Sequence, residues 1–421
     1  MILIILGLLV AGFFFVRGKI QNIRAVNQAL DKADEMAVQY DYRGAIEMLQ
    51  QIPEYETKSK VTDKIAELEQ LDAACYTVDN STVTHVFYHS LVMYPDWTFH
   101  IDDQTEVDNY NTTMTTGDEF IKITQQMYDR GYVLISIHDM YEITTDENGK
   151  EVCKSKEIRL PQGKKPYVLS IDDLSYYEYM EGDGFPTRIV LDEDGVPRCE
   201  MTMQDGSVEV GSFDHVPLLE DFIAEHPDAC YKGARGIIAL TGYDGVLGYR
   251  TDEEYNTAEY KAEHPSFDFE KECADAKAVA DGMKARGWEF ASHSWGHQNY
   301  TTISMEKMKK DMGRWLKNVP PIIGDTDVII YAFGAEIPEY GKGNDKFDYL
   351  KSCGFDCFCG INAATTSWVY YGDNYFRQSR RNLDGYRMYQ DLINPDLNRL
   401  ADLMNVEETF DKRRPTPVPD Y

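Results

Sequence analysis

Apolar and polar positions divide the chain into three textures. Residues 2–16, ILIILGLLVAGFFFV, form an uninterrupted apolar run. A transmembrane helix needs roughly 20 such residues, so the run is short for a full span and suits the apolar core of an export signal. No basic stretch precedes it and no small-x-small cleavage site follows; Arg17, Lys19 and Arg24 come after it. Residues 1–18 are therefore read as a membrane anchor or signal segment, uncleaved, with a basic leader upstream of Met1. Taken literally, the flanking charges would leave the C-terminal part in the cytoplasm. A buried N-terminal helix is the alternative.

From residue 19 to 78 apolar residues recur at helical spacing among Ala, Glu and Lys. Residues 29–53, ALDKADEMAVQYDYRGAIEMLQQIP, place Ala, Tyr and Leu as in a tetratricopeptide-like helical hairpin. One or two such helices cannot enclose a core. The segment is expected to be a spacer, or a docking element for a protein partner, with a coiled-coil stalk as the other reading.

After Asp79-Asn80-Ser81 the texture changes to short β-like runs between helices. Strands are predicted at 84–91, 166–173, 235–240, 327–334 and 355–362. Residues 117–140 read as a helix, a turn at Gly131 and a strand, and 273–293 as a helix running into a strand. This alternation implies a parallel α/β architecture over 79–400, either a barrel or an open sheet. Residues 180–212, with EGDG, DEDG and QDGS, are predicted to be inserted hairpins. Residues 411–421 end in the Pro-rich RRPTPVPDY and are expected to be disordered.

Composition narrows the function. Lys plus Arg number 42 against 72 Asp plus Glu, a formal charge of −30 over 421 residues. So acidic a surface repels phosphate backbones, which argues against nucleic acid as a partner. Eight cysteines would permit disulfides in an exported chain, but the cluster Cys353, Cys357 and Cys359 has no histidine after it, and buried free thiols are expected.

Functional groups of parallel α/β folds gather at the carboxyl ends of strands. Three predicted strand ends carry unusual residues: Asp172-Asp173, His293 with His297, and His89. Two histidines four apart lie on one face of a helical turn and can share a metal, with one carboxylate completing a three-ligand site. Adjacent aspartates point in different directions, so one can ligate while its neighbour takes a proton.

These residues resemble the motifs of the polysaccharide deacetylases, carbohydrate esterase family four, over about residues 83–390. The family's Thr-Phe-Asp-Asp stands here as Ser170-Ile171-Asp172-Asp173, and its His-Ser/Thr-x-x-His as His293-Ser294-Trp295-Gly296-His297. Tyr331-Ala332-Phe333-Gly334 is similar to its Tyr-Pro-Phe-Gly element, and Tyr88-His89 to an early Tyr-His strand of one branch. The resemblance implies a distorted (β/α) barrel preceded by the N-terminal helical hairpin. It implies that Asp173, His293 and His297 hold a divalent metal, Zn²⁺, and that Asp172 is the general base. It also implies that Tyr331, Phe333 and Gly334 line the substrate site, where a backbone N–H near Phe333 stabilises an oxyanion; Trp295 is expected to join them, since it adjoins the motifs, as Tyr176, Tyr177 and Tyr300 do, and offers a ring to stack on sugars. The family's late Leu-x-His acid is missing, since every histidine lies at or before His297; the resemblance to the branch with an early Tyr-His strand implies that His89 takes the acid role. The arginine that usually orients the base is absent near Tyr331, leaving Arg380 or Arg381 as substitutes, and Leu174 replaces the usual Gly.

The activity so implied is metal-dependent removal of N-acetyl groups from an amino-sugar polymer: peptidoglycan, exopolysaccharide or a chitin-like glycan. The chain would sit at the cell membrane with its catalytic domain extracellular. Two readings compete: a catalytically impaired glycan-binding protein of the same fold, and a related metal amidase acting on a small molecule.

Overall fold

The structure, a computed structural model, describes residues 23–362 and 364–421. The described residues divide into two compact units, 23–78 with 159–163, and the others. In the first, helices run over 23–38, Tyr42–Gln50 and Ser59–Ala73. Asp41 caps the second by accepting the Gly44 N–H at 3.2 Å. Leu49, Val61, Ile65 and Leu68 recur at helical spacing and are buried where the second and third helices pack together. Tyr76–Thr77 pairs antiparallel with Arg159–Leu160. The anchor expected over 1–18 lies outside the described residues, among which no helix is long and apolar enough to cross a membrane.

The second unit is built on seven strands: β1 (Thr84–Tyr88), β2 (Lys165–Asp172), β3 (Ile237–Leu240), β4 (Glu289–Ser292), β5 (Val328–Ile330), β6 (Cys357–Ile361) and β7 (Phe376–Asn382). Each pairs in parallel with the next, and β7 pairs with β1 through Arg381↔Val86 and Asn382↔Phe87. The ring closes, giving the (β/α) barrel. Its strands follow chain order, as parallel neighbours joined by crossovers do. All carboxyl ends therefore meet at one rim.

Strand alternation sorts the side chains. Val86, Tyr88, Leu169 and Ile171 join the apolar layer beneath the helices. The intervening His85, Phe87, Ser170 and Asp172 meet one another or Arg380 inside the barrel. Helix Gly117–Asp129 shows why its sequence folds as it does. Thr116 and Glu119 form a capping box at its start, and Phe120, Ile123 and Met127 bury one stripe in the same apolar layer.

At the foot of the barrel the strand Tyr132–Leu134 pairs with Lys165–Tyr167 of β2, on the edge that β3 occupies further along, from Ser170 to Asp172. Residues 180–212 contain a three-stranded antiparallel sheet of Arg188–Leu191, Pro197–Thr202 and Val208–Gly211. Residues 411–421 are packed, which corrects the expectation of disorder. Prolines lack N–H groups but keep their carbonyls, and these are used: Asn111 Nδ2 donates to Pro415 O at 2.8 Å and Thr112 Oγ1 to Pro419 O at 3.2 Å. Arg414 and Val418 are buried.

His138 ties the foot together, with Nδ1 2.5 Å from Glu289 Oε1 and Nε2 2.8 Å from Asp327 Oδ1. Burial alone would lower its pKa; the hydrogen bonds to Asp327 and Glu289 outweigh it and raise the value to about 10. A free histidine titrates near 6.5. Because the folded value is the higher one, this stabilisation is complete below about pH 6.5 and is lost as the pH rises towards about 10. Denaturant titrations across that window should show falling stability, and His138→Gln should flatten the slope. A slope unchanged by the substitution would assign it to other groups.

Candidate metal centre

The rim carries the residues that chemistry requires. β2 ends in Asp172, and Asp173 follows with left-handed φ of 59°, its N–H donating to Ala239 O of β3 at 3.1 Å. The turn sends the two carboxylates in different directions. His293 follows β4; its Nδ1–H donates to Ile330 O of β5 at 2.8 Å, so Nε2 is the nitrogen left for a ligand.

His293 and His297 were expected on a helical turn. They stand instead on a loop, with Ser294 and His297 both left-handed at φ 64° and 50°. What holds this strained loop is Asp311, from helix Met305–Asn318. Its carboxylate accepts the N–H of Trp295 at 3.1 Å, the N–H of Gly296 at 2.8 Å and the Tyr300 hydroxyl at 2.9 Å. The Trp295 carbonyl accepts the Gly242 and Tyr243 N–H groups beyond β3. The imidazoles are thereby brought to 5.0 Å between centroids.

Nε2 of His293 and of His297 lie 3.7 and 3.5 Å from Asp173 Oδ2, and the three ligand atoms fall within 4.8 Å of one another. Four-coordinate zinc with bonds of about 2.1 Å separates its ligands by roughly 3.4 Å, so the donor set fits such an ion. The other Asp173 oxygen accepts the Tyr177 hydroxyl at 2.6 Å. Burial pulls the His297 imidazole down to about 4, which leaves it neutral, the ligating form, at physiological pH. For Asp173, burial pushes the carboxyl up and the imidazoles of His293 and His297 more than reverse it.

Asp172 is ion-paired rather than free. Of the two arginines considered, Arg380 is the partner: it is fully buried, its Nη1 donates to Asp172 Oδ1 at 2.6 Å and to Ser170 Oγ at 3.1 Å, and its guanidinium lies over Phe87. Arg381, on the other strand face, pairs with Asp402. Burial would raise the Asp172 carboxyl; the Arg380 charge overcomes this and holds it below its usual value.

These groups share a cavity of about 530 Å³, lined also by His89 and Phe333. His89 donates from Nδ1 to Thr113 O at 3.1 Å, leaving Nε2 as the nitrogen available to the cavity. Of the four residues expected to line the substrate site, only Phe333 does so; it is 67% exposed and packs edge-on to His297 at 4.2 Å. Tyr331 is buried beneath the rim, its hydroxyl accepting from Tyr340 at 3.2 Å. Trp295 is covered by the Arg314 guanidinium, 3.2 Å from its ring. Gly334 lies outside the lining, close behind Ile361. Sequence reasoning could not assign these directions, because neighbours on a turn point apart.

Of the tyrosines beside the motifs, Tyr177 lines the cavity, whereas Tyr176 and Tyr300 are buried away from it. Tyr177 stacks between Tyr243, at 4.6 Å and 2°, and Tyr179, at 5.5 Å and 15°. Another part of the wall carries Asn382, Asp384, Arg387 and Tyr421, whose hydroxyl donates to Asp384. The run Tyr176-Tyr177-Glu178-Tyr179 after the aspartates was the legible signal for the stack. For Asp311 the signal was an acid on the buried stripe of Met308, Met312 and Trp315.

A family model described as polysaccharide deacetylase matches residues 246–358, the stretch from just after β3 into β6 that contains His293, His297 and Phe333. No curated protein matches the chain. Among solved structures it is similar to a Streptococcus pyogenes deacetylase, PplD, solved in complex with acetate, at 14% identity and a TM-score of 0.37, over 77% of this chain and 98% of that one.

Asp311→Ala should free the His293–His297 loop and weaken binding of Zn²⁺ by about 10- to 100-fold, the usual cost of losing a group that orients metal ligands. Asp311→Asn, which keeps one acceptor oxygen, should lose less. Metal titration of the folded variants measures this, and an affinity unchanged in Asp311→Ala would show that the loop holds itself.

Proposed function

We propose that the protein is a metal-dependent deacetylase of N-acetylated amino-sugar glycans. The observation that carries this is the convergence on one cavity of a two-histidine, one-carboxylate donor set, a second carboxylate paired to a buried arginine, and an imidazole beyond them. The match of a polysaccharide deacetylase family model to the region of the two histidines supports the choice of substrate class. So does the tyrosine stack, since flat aromatic faces suit sugar rings.

Asp173, His293 and His297 would hold the ion, with Zn²⁺ the best fit to two nitrogens and one oxygen. A bound divalent ion supplies Lewis acidity and lowers the pKa of water towards neutrality. Asp172, kept ionised by Arg380, would take the proton of an attacking water as that water adds to the acetamide carbonyl. His89 Nε2 would give a proton to the departing amine nitrogen as the C–N bond breaks, which an amine leaving group requires. Phe333 and the Tyr177 stack would position the sugar and exclude solvent. A membrane location through residues 1–18, with the barrel outside the cell and the N-terminal helices meeting a protein partner, completes the reading.

The purified protein should carry about one equivalent of divalent metal, lost in His293→Ala. It should release acetate from N-acetylglucosamine oligomers. Asp172→Asn should retain metal while turnover collapses. A metal-loaded parent protein that binds these oligomers and releases no acetate would favour the glycan-binding alternative. His89→Ala should keep metal and lose about 10²–10⁴ in rate, the range for a missing general acid; full activity in that variant would remove His89 from the scheme.

A further inference from the structure

His89 leans on the Thr113 carbonyl, and the segment bearing that carbonyl is held by residues near the C-terminus. Arg414 is buried, with Nε and Nη2 on the two oxygens of the Glu119 carboxylate at 2.8 and 2.6 Å. Its guanidinium also donates to main-chain carbonyls, Nη1 to Asn111 O at 3.0 Å and Nη2 to Met114 O at 2.6 Å. These two carbonyls bracket Thr112 and Thr113. Thr112 Oγ1 reaches Pro419 O, and Thr113 O accepts from His89 Nδ1 at 3.1 Å. There is no slack behind them: a Cβ on Gly385 would meet Asn111 O at 2.0 Å and Arg414 Nη1 at 2.5 Å. Residues on both sides of Thr113 are thus fixed by the packed C-terminal segment, and the carbonyl left between them serves His89.

We infer that Arg414 is a positioning residue for His89. By gripping the carbonyls of Asn111 and Met114 it fixes the Thr113 carbonyl, and with it the tautomer and ring direction of His89. The inference rests on the proposed role of His89 as proton donor to the leaving amine.

The test is the double substitution Glu119→Gln/Arg414→Met in the full chain. Removing both buried charges together spares the fold the stranded ion that a single substitution would leave. Metal content should match the parent. Acetate release from N-acetylglucosamine oligomers should fall about 10²-fold in kcat, the scale set by a small misplacement of a reacting group, with KM little changed. Hydrolysis of 4-nitrophenyl acetate, whose leaving group needs no proton, should be nearly retained, and the double substitution should add no loss to His89→Ala. In nitrogen NMR of histidine-labelled protein, the His89 Nδ1–H signal should leave its hydrogen-bonded position. Equal losses on amide and ester, or a His89 signal that does not move, would overturn the inference. A parent enzyme unaffected by His89→Ala would instead remove the proposed acid, and the NMR comparison would still decide whether Arg414 sets the ring.

Discussion

A carboxylate sealed inside a protein stays charged only beside a positive partner, and Asp172 has one in Arg380. The pair spans the barrel interior from β2 to β7, so the charge at the rim and the closure of the ring support each other. Ser170 joins the contact, and His85 stands behind Ser170 with Nε2 3.0 Å from its hydroxyl. Burial, with the Arg380 charge beside it, holds the His85 imidazole well below its usual pKa. A neutral ring can accept the Ser170 proton while Ser170 accepts from Arg380. Taking away either member of the Asp172–Arg380 pair would strand an ion, at a cost of about 3–5 kcal/mol. Asp173, one residue on, gathers imidazoles instead, and the left-handed turn between the two carboxylates is what separates their surroundings.

The sequence exposed some of this and hid the rest for physical reasons. The barrel strands were legible because strands buried on both faces read as short apolar runs between helical patterns. His293 and His297 announced themselves by spacing, and the paired aspartates by their place at a strand end. Arg380 and Arg381 were not separable, because neighbours on a strand face opposite ways and nothing local says which way is inward. Trp295 was assigned by its place between the two histidines and Tyr331 by its place in the Tyr-Ala-Phe-Gly element, yet a turn sends adjacent side chains apart. The Pro-rich end misled because proline content reports what a backbone cannot donate; it is silent about the carbonyls, which here receive Asn111 and Thr112.

The cavity wall shows a similar division. Its aromatic part comes from the loop directly after β2 and from Tyr243 beyond β3, close in space to the ion-binding donors. Its polar part, Asn382 to Arg387 with Tyr421, comes from the other end of the chain. Tyr421 and the Arg414 contacts place the last eleven residues among the elements that shape the rim.

The edge of β2 has a different neighbour at each end: Tyr132–Leu134 at the foot and β3 at the mouth. Tyr132–Leu134 covers that edge below the point where β3 begins to pair, so β2 keeps a hydrogen-bonded neighbour along both stretches. The mouth of the edge is left to β3, and Asp173, whose N–H reaches Ala239 of that strand, inherits a backbone position held from two sides.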